Sequence, residues 1–180
     1  KNSALLLVQI LENEYRKAFN DLILTKKKER FNRLRDEERR LLVKAETLLE
    51  EGLALEQTNA FNDASERYKE ALAGFKKLNW QRKIGITHVY LGDVYNKMDQ
   101  YDAARRAYAD ALPFFDRVAD AEYMARILAS LGQTCFNAAD YADALDNMEQ
   151  SLNIYRQLKN EDAVRKLEKN IEVVRMKLRN

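Results

Sequence analysis

Proline occurs once in the 180 residues, cysteine once, histidine once and glycine five times. So little proline and glycine leaves few places for the tight turns a strand-rich fold needs. One cysteine, Cys135, excludes an internal disulfide framework and fits a reducing compartment, from which a cytoplasmic location is expected. A metal site needs several ligands, and His88 has no second histidine to join, so neither a metal nor any other cofactor is expected. Long apolar runs are missing too. The longest near the start, Ala4 to Val8 with Ile10 and Leu11, is interrupted by Gln9 and followed by Glu12 and Glu14. That is far short of the roughly 20 residues of a membrane span, and it has no small-residue cleavage site. Nor does one charge dominate: Lys and Arg number 31 against 29 Asp and Glu, a net +2, so the molecule as a whole is no polyelectrolyte binder. The chain opens on Lys1, the expected mark of a piece excised or processed from a longer protein, whose catalytic or anchoring parts would lie outside it.

What is there is helical material: 46% hydrophobic residues, enough to bury, and 33% charged residues for wet outer faces, which together exclude disorder. A fixed period organises it. Gly52, Gly92 and Gly132 stand 40 residues apart, and their surroundings recur at the same offset. Ala64, Ala104 and Ala144 follow, then Tyr68, Tyr108 and Met148, then Ala71, Ala111 and Ser151, each next to a leucine. Phe75, Phe115 and Tyr155 come next, then Leu78, Val118 and Leu158, while the aromatics Phe61, Tyr101 and Tyr141 precede the alanines.

Each unit reads as two helices. The first carries apolar residues at three- and four-residue spacing, as in Ile84, His88, Leu91 and Tyr95, or Met124, Leu128, Leu131 and Cys135. Short polar stretches follow (Thr58-Asn59, Asp99-Gln100, Ala139-Asp140), and the second helix begins at the aromatic. Glycine and alanine at facing positions let the two backbones approach closely, with the large aromatics filling the space beside them. Asp120 and Asn160 are expected as N-caps. Pro113 falls inside the second helix of the middle unit, where it removes the bond to Ala109 and is expected to bend that helix.

The middle unit, His88-x2-Leu91-Gly92-x2-Tyr95 then Ala104-x3-Tyr108 and Ala111, resembles the tetratricopeptide repeat, as does Leu128-x2-Leu131-Gly132-x2-Cys135 with Ala144-x3-Met148 and Ser151. The first unit has Glu51 where leucine is expected but keeps Gly52, Ala64, Tyr68 and Ala71. The resemblance runs from about residue 42 to 160, and its motifs mark the fold without naming a ligand. The 40-residue period exceeds the family's usual 34, lengthens both helices, and is similar to the long-helix type of kinesin light chains, LGN-like scaffolds and many bacterial regulators; the family's late proline is absent. The resemblance implies an all-α fold, an α-α superhelix in which hairpins stack into a right-handed solenoid. The expected division is an N-terminal helical extension over 1–43, three repeats at about 44–79, 80–119 and 120–159, and a capping helix over 161–180.

In that family the first helices line a concave groove. The implied groove residues are Ile86, Val89, Asp93 and Asn96, with Lys97 beside them, in the middle unit, and Arg126, Ala129, Gln133 and Phe136, with Asn137, in the third. The longer helices add Arg82 and Glu122 upstream. Apolar patches mixed with amides and both charges suit an extended or helical peptide held by bonds from side chains to its backbone. The Lys/Asn/Lys/Arg carboxylate clamp of chaperone-binding members is not matched, because Leu49, Leu53, Asp93, Ala129 and Gln133 stand at those positions.

The flanks fit the repeat less well. From Glu161 onward Val164, Leu167, Ile171, Val174 and Leu178 form one stripe, as a terminal cap needs, though the first helix of a further unit would read the same way. Val8, Leu11, Tyr15, Phe19 and Leu22 form another stripe, and Ala18 to Asp21 echoes Ala60 to Asp63. Lys26 to Arg40 is nearly all charge, and one long helix or two with a frayed joint are both open. Its cations would bind nucleic acid by counterion release, but Glu29, Asp36, Glu37 and Glu38 are interleaved, with Asp36 and Arg40 at i,i+4 spacing, so a self-paired face is the expectation. Glycine-rich phosphate loops, Ser/His pairs and strand-borne motifs are absent. His88 and Cys135 read as core. No enzyme is expected. The readings left are a scaffold binding a protein or peptide, a homo-oligomer formed through the N-terminal helix or an open repeat end, and, more weakly, a polyanion binder at 26–40.

Overall fold

The computed structural model describes residues 21–22, 24–26, 28–29, 32, 35–115 and 120–179. The chain divides into two compact units, Lys1–Leu41 and Leu42–Asn180. The described residues between 21 and 32 are helical and Arg35 is not. A new helix then starts at Asp36, so the charged stretch contains a break and not one continuous helix. Neither glycine nor proline makes it: Glu38 reaches back to accept from the Arg35 amide at 2.9 Å, half of a capping box. That amide, and then the Arg35 guanidinium, hold the Glu38 carboxyl below its usual range. The charges here pair as Arg35–Glu38 and Asp36–Arg39, both 3.3 Å and both i,i+3, and Asp36 does not take the Arg40 the spacing suggested. The expected stripe from Val8 to Phe19 and the echo at residues 18–20 lie outside the described residues.

The helices from Asp36 onward are α1 (Asp36–Gln57), α2 (Phe61–Lys77), α3 (Gln81–Lys97), α4 (Tyr101–Ala111), α5 (Ala121–Asn137), α6 (Tyr141–Gln157) and α7 (Glu161–Arg179), with a 3-10 turn at Leu112–Phe114. Among the described residues there is no strand. From Leu42 onward the unit is an all-α helical-repeat superhelix of hairpins α1/α2, where Tyr68 packs on Gly52, α3/α4 and α5/α6, each packing on the next, with α7 against α6.

The 40-residue period is now visible as twice 20: a helix of 17 residues, then a three-residue turn. Every such turn places one residue in the left-handed region: Asn59, Asn79, Asp99, Ala139 and Lys159, with φ between 53° and 62°. The amide that follows bonds back five residues, as from Gln100 to the Tyr95 carbonyl (2.9 Å) and from Asp140 to the Cys135 carbonyl (2.8 Å). These are Schellman caps built without glycine. Asn and Asp tolerate the conformation, while Ala139 and Lys159 bear its steric cost of about 1–2 kcal/mol each.

First helices are buried on two sides. In α3 the buried set Ile84, Gly85, Thr87, His88, Val89, Leu91, Gly92 and Val94 covers both its own α4 and the preceding α2, whereas α4 buries only Ala104, Ala107, Tyr108 and Ala111. The glycines set the hairpin spacing. A Cβ on Gly92 would lie 2.6 Å from Tyr108 Cε1, and one on Gly132 would lie 2.6 Å from Met148 Cγ. Tyr68 fills the same place against Gly52. Buried hydroxyls find partners: Thr87 and Thr134 donate to the carbonyls four residues back, and Ser151 donates across the hairpin to the Ala125 carbonyl at 2.6 Å.

Two local expectations need correction. Pro113 does not bend α4 but ends it: the helix stops at Ala111 and tightens into the 3-10 turn carrying the proline, which needs no amide there. Asp120 precedes α5 without capping it, because its carboxylate is taken by Arg82 of α3. Asn160 does cap α7, its Oδ1 accepting from the Ala163 amide at 3.1 Å.

Candidate functional site

Helices α1, α3 and α5 lie side by side and share one polar face. Lys83 of α3 meets Glu46 of α1 at 3.1 Å, and Lys97 meets Glu56 at 2.7 Å, with the Lys97 ammonium 5.6 Å from the Phe61 ring centre. The Tyr68 hydroxyl, from inside the hairpin, donates to the same Glu56 carboxylate at 2.7 Å, and burial, then this bond, keep the phenol protonated well above its ordinary range. One rung on, the Tyr108 hydroxyl donates to Asp93 at 2.5 Å. Burial raises the Asp93 carboxyl above its ordinary value, against the opposing Tyr108 bond and the pull of Arg126. Tyr90 stacks on Tyr68 with centroids 5.5 Å apart.

The expected groove residues divide by what they do. Val89 does not line a surface: it is 1% exposed, packed among Ala104, Tyr108, Phe115 and Ile127, because the neighbouring second helix and α5 close over it. Ile86 is half-buried against the same cluster, and Ala129 and Phe136 against the next, where Phe136 meets Tyr141 at 5.6 Å. Arg82 is committed to Asp120 and lies over the Tyr123 ring at 5.0 Å. Gln133 donates to Asn137 at 2.9 Å. Glu122 is exposed. Arg126 is exposed, rests 5.2 Å from the Tyr123 ring centre, and has no carboxylate within 4 Å among the described residues. Asn96 is half-buried, and its Oδ1 has no hydrogen-bond partner among the described residues.

Glu56, Tyr90 and Tyr123 complete this face and were missed from sequence. A signal for Glu56 existed, since it stands 40 residues before Asn96; for the two tyrosines the repeat offers none, because Ser130 and Lys83 occupy their columns. Two concavities lie off this face: one of about 650 Å³ between residues 99–106 and 137–139, and one of about 380 Å³ between α6 and α7.

The chemistry-bearing residues are built into the core. His88 is 7% exposed, stacked on Phe114 at 6.4 Å, and burial, with Lys76 nearby, holds its imidazole below the ordinary value. Cys135 is buried, and burial pushes its thiol up despite Arg105, the opposite of a reactive thiolate. Among the described residues no cluster of three His, Cys, Asp or Glu could hold a metal, and no helix is long and apolar enough to cross a membrane.

Residues 83–157 match the family model described as tetratricopeptide repeat. No curated protein matches the chain. Among solved structures it is similar to BtubC (BKLC) from P. vanneervenii, with a TM-score of 0.56 and 13% identity. The match covers 76% of this chain and 65% of that one, so this chain spans less than two thirds of BtubC. At that identity the likeness is one of fold.

Proposed function

Residues 83–157 belong to the tetratricopeptide-repeat family, whose repeats mediate protein–protein interaction, and from that premise we propose that this chain is a non-catalytic scaffold binding a peptide or partner helix along the face of α3 and α5. The observation that carries this is Asn96. An unpaired buried carbonyl oxygen costs about 1–3 kcal/mol, and at Asn96 it lies on the face that the family geometry makes concave. The oxygen itself is closed to solvent, so a bound segment reaches it by drawing the half-buried side chain outward, where a main-chain N–H would satisfy it. Asp93, Lys97 and Arg126 flank it with both charges, and a face spread over two helices suits an extended partner better than a small molecule.

A displayed random-peptide library selected on the full chain tests the reading. Recovered peptides are expected to lose binding to a chain carrying Asn96→Ala and Arg126→Ala whose circular dichroism and melting are unchanged. Equal binding to both chains would remove the groove assignment.

Self-association is the second reading, favoured by Leu22 and Leu24, which are 51% and 61% exposed in the first unit. Light scattering of the intact chain decides it: a monomer at high concentration excludes it. Stacking through the C-terminal end is less well supported. The α7 positions equivalent to Ala125, Leu128, Gly132 and Cys135 are Arg165, Glu168, Glu172 and Arg175, all exposed, so a further second helix would bury four charges. We read α7 as a cap on that ground. Polyanion binding at 26–40 is weakened by the pairing of Arg35 and Arg39 with their own acids.

A further inference from the structure

The columns that form the face of α3 and α5 do not stop at the third hairpin. Forty residues beyond Arg126, Ala129, Gln133 and Phe136 stand Lys166, Lys169, Val173 and Met176 of α7. The structure keeps α7 in that register. Leu167, Ile171 and Val174 are buried at 5%, 4% and 1%, as Ile127, Leu131 and Thr134 are at 1%, 8% and 0%. Glu149 of α6 pairs with Arg175 of α7 at 2.8 Å, in the columns where Lys69 of α2 lies over Tyr95 of α3. Ala163 and Val164 pack into the same cluster as Ala129 and Phe136. So α7 stands where a first helix stands and presents a first-helix face.

That face has its own chemistry. Val173 and Met176 are 42% and 49% exposed, large apolar side chains at the positions of Gln133 and Phe136. Lys166 and Lys169 are exposed and have no acid within 4 Å among the described residues. The α7 ion pairs there run instead between arginines and acids: Arg165 with Asp162, Arg156 with Glu168, and Arg175 with Glu149. With Arg126 next door, also lacking a carboxylate, three cations flank a short apolar strip. The opposite end differs, because Glu56 is neutralised by Lys97 and Asp93 is held by Tyr108.

We propose that the binding face continues from α5 onto α7, and that this end takes an acidic peptide segment carrying apolar side chains. Its carboxylates meet Arg126, Lys166 and Lys169, and its apolar groups lie on Phe136, Val173 and Met176. This rests on the scaffold reading above and names the chemistry of the partner. Exposed ion pairs are individually weak, so three of them together set preference more than raw affinity.

The test uses the full chain and a fluorescein-labelled peptide alternating glutamate with leucine and phenylalanine, beside copies with lysine or glutamine in place of glutamate. The glutamate peptide is expected to bind about tenfold tighter than the lysine one, to lose that margin in a Lys166→Glu, Lys169→Glu chain, and to weaken with salt. In a chain labelled with 13C at the methionine methyls, the Met176 signal, assigned through Met176→Leu, is expected to shift on binding while buried Met148 stays put. Equal affinity for the three peptides overturns the proposal. So does a Met176 signal that moves only with protein concentration, which would make the patch a contact between copies. If the peptide binds, depends on Asn96 and Arg126, yet leaves Met176 unmoved, the extension onto α7 falls and the groove reading survives. If binding ignores all of these residues, both fall.

Discussion

Helices α5 and α7 hold the same place in successive rungs and bury the same column toward the preceding helix, Ile127, Leu131 and Thr134 in one and Leu167, Ile171 and Val174 in the other. On the other side they part. Ala125, Leu128, Gly132 and Cys135 of α5 form the seat of α6, while α7 puts Arg165, Glu168, Glu172 and Arg175 there, in water. The difference teaches what makes a helix one half of a hairpin. Apolar periodicity is not enough, since both have it; the distinguishing mark is a small residue opposite a large one. In α5 that residue is Gly132 under Met148, and in α3 it is Gly92 under Tyr108.

The contrast breaks most sharply at this column. Gly92→Ala pushes a methyl against a tyrosine ring fixed by Asp93, and should cost about 2–3 kcal/mol. Glu172→Ala, the same column in α7, should stay within about 0.5 kcal/mol. Thermal denaturation of the two variants checks both, and equal losses would mean the column carries no such meaning. A smaller effect separates the second and third hairpins. Tyr108→Phe leaves Asp93 without its hydroxyl donor and should cost about 1–2 kcal/mol, whereas the α5/α6 hairpin, with Met148 and Gln133 in those places, has no such bond to lose.

The His88 column sharpens the comparison through pH. Leu48 and Leu128 flank it in the neighbouring units, and burial holds the folded His88 pKa below the ordinary 6.5. The unfolded chain therefore takes up the proton first, so this contribution is present above pH 6.5 and is lost as pH falls through the folded value. His88→Leu should flatten that acid-side loss, read as melting temperature between about pH 5 and 8. The smallest effect lies in the turns. Ala139→Gly relieves a left-handed alanine ahead of α6 and should stabilise by about 0.5 kcal/mol in chemical denaturation, the steric relief being partly offset by glycine's extra freedom when unfolded.

The period, the hairpins and the partners of the glycines were legible because identical packing demands recur every 40 residues and leave the same sizes in the same columns. The turns were not. Their left-handed residues include Ala139 and Lys159, which carry no signal of the conformation, and the 20-residue half-period that exposes them is hidden by unlike side chains. The break at Arg35 was equally hidden, since only Glu38 three residues on marks it. For the binding face, sequence columns place residues on a side of a helix but not at a depth. Val89 shares the face with Asn96 yet sinks beneath the packing of Tyr108 and Ile127. Pairings across rungs, such as Arg82 with Asp120 or Lys97 with Glu56, depend on how one hairpin rotates on the next, which no single unit encodes.

The most direct measurement is an amide chemical-shift map of the full chain titrated with a peptide selected on it. Perturbations should gather on the first-helix face, at Asp93, Asn96, Arg126 and Gln133, and leave α4 and α6 still. Perturbations centred instead on Arg105, Arg106 and the concavity between residues 99–106 and 137–139 would contradict the assignment of binding to that face.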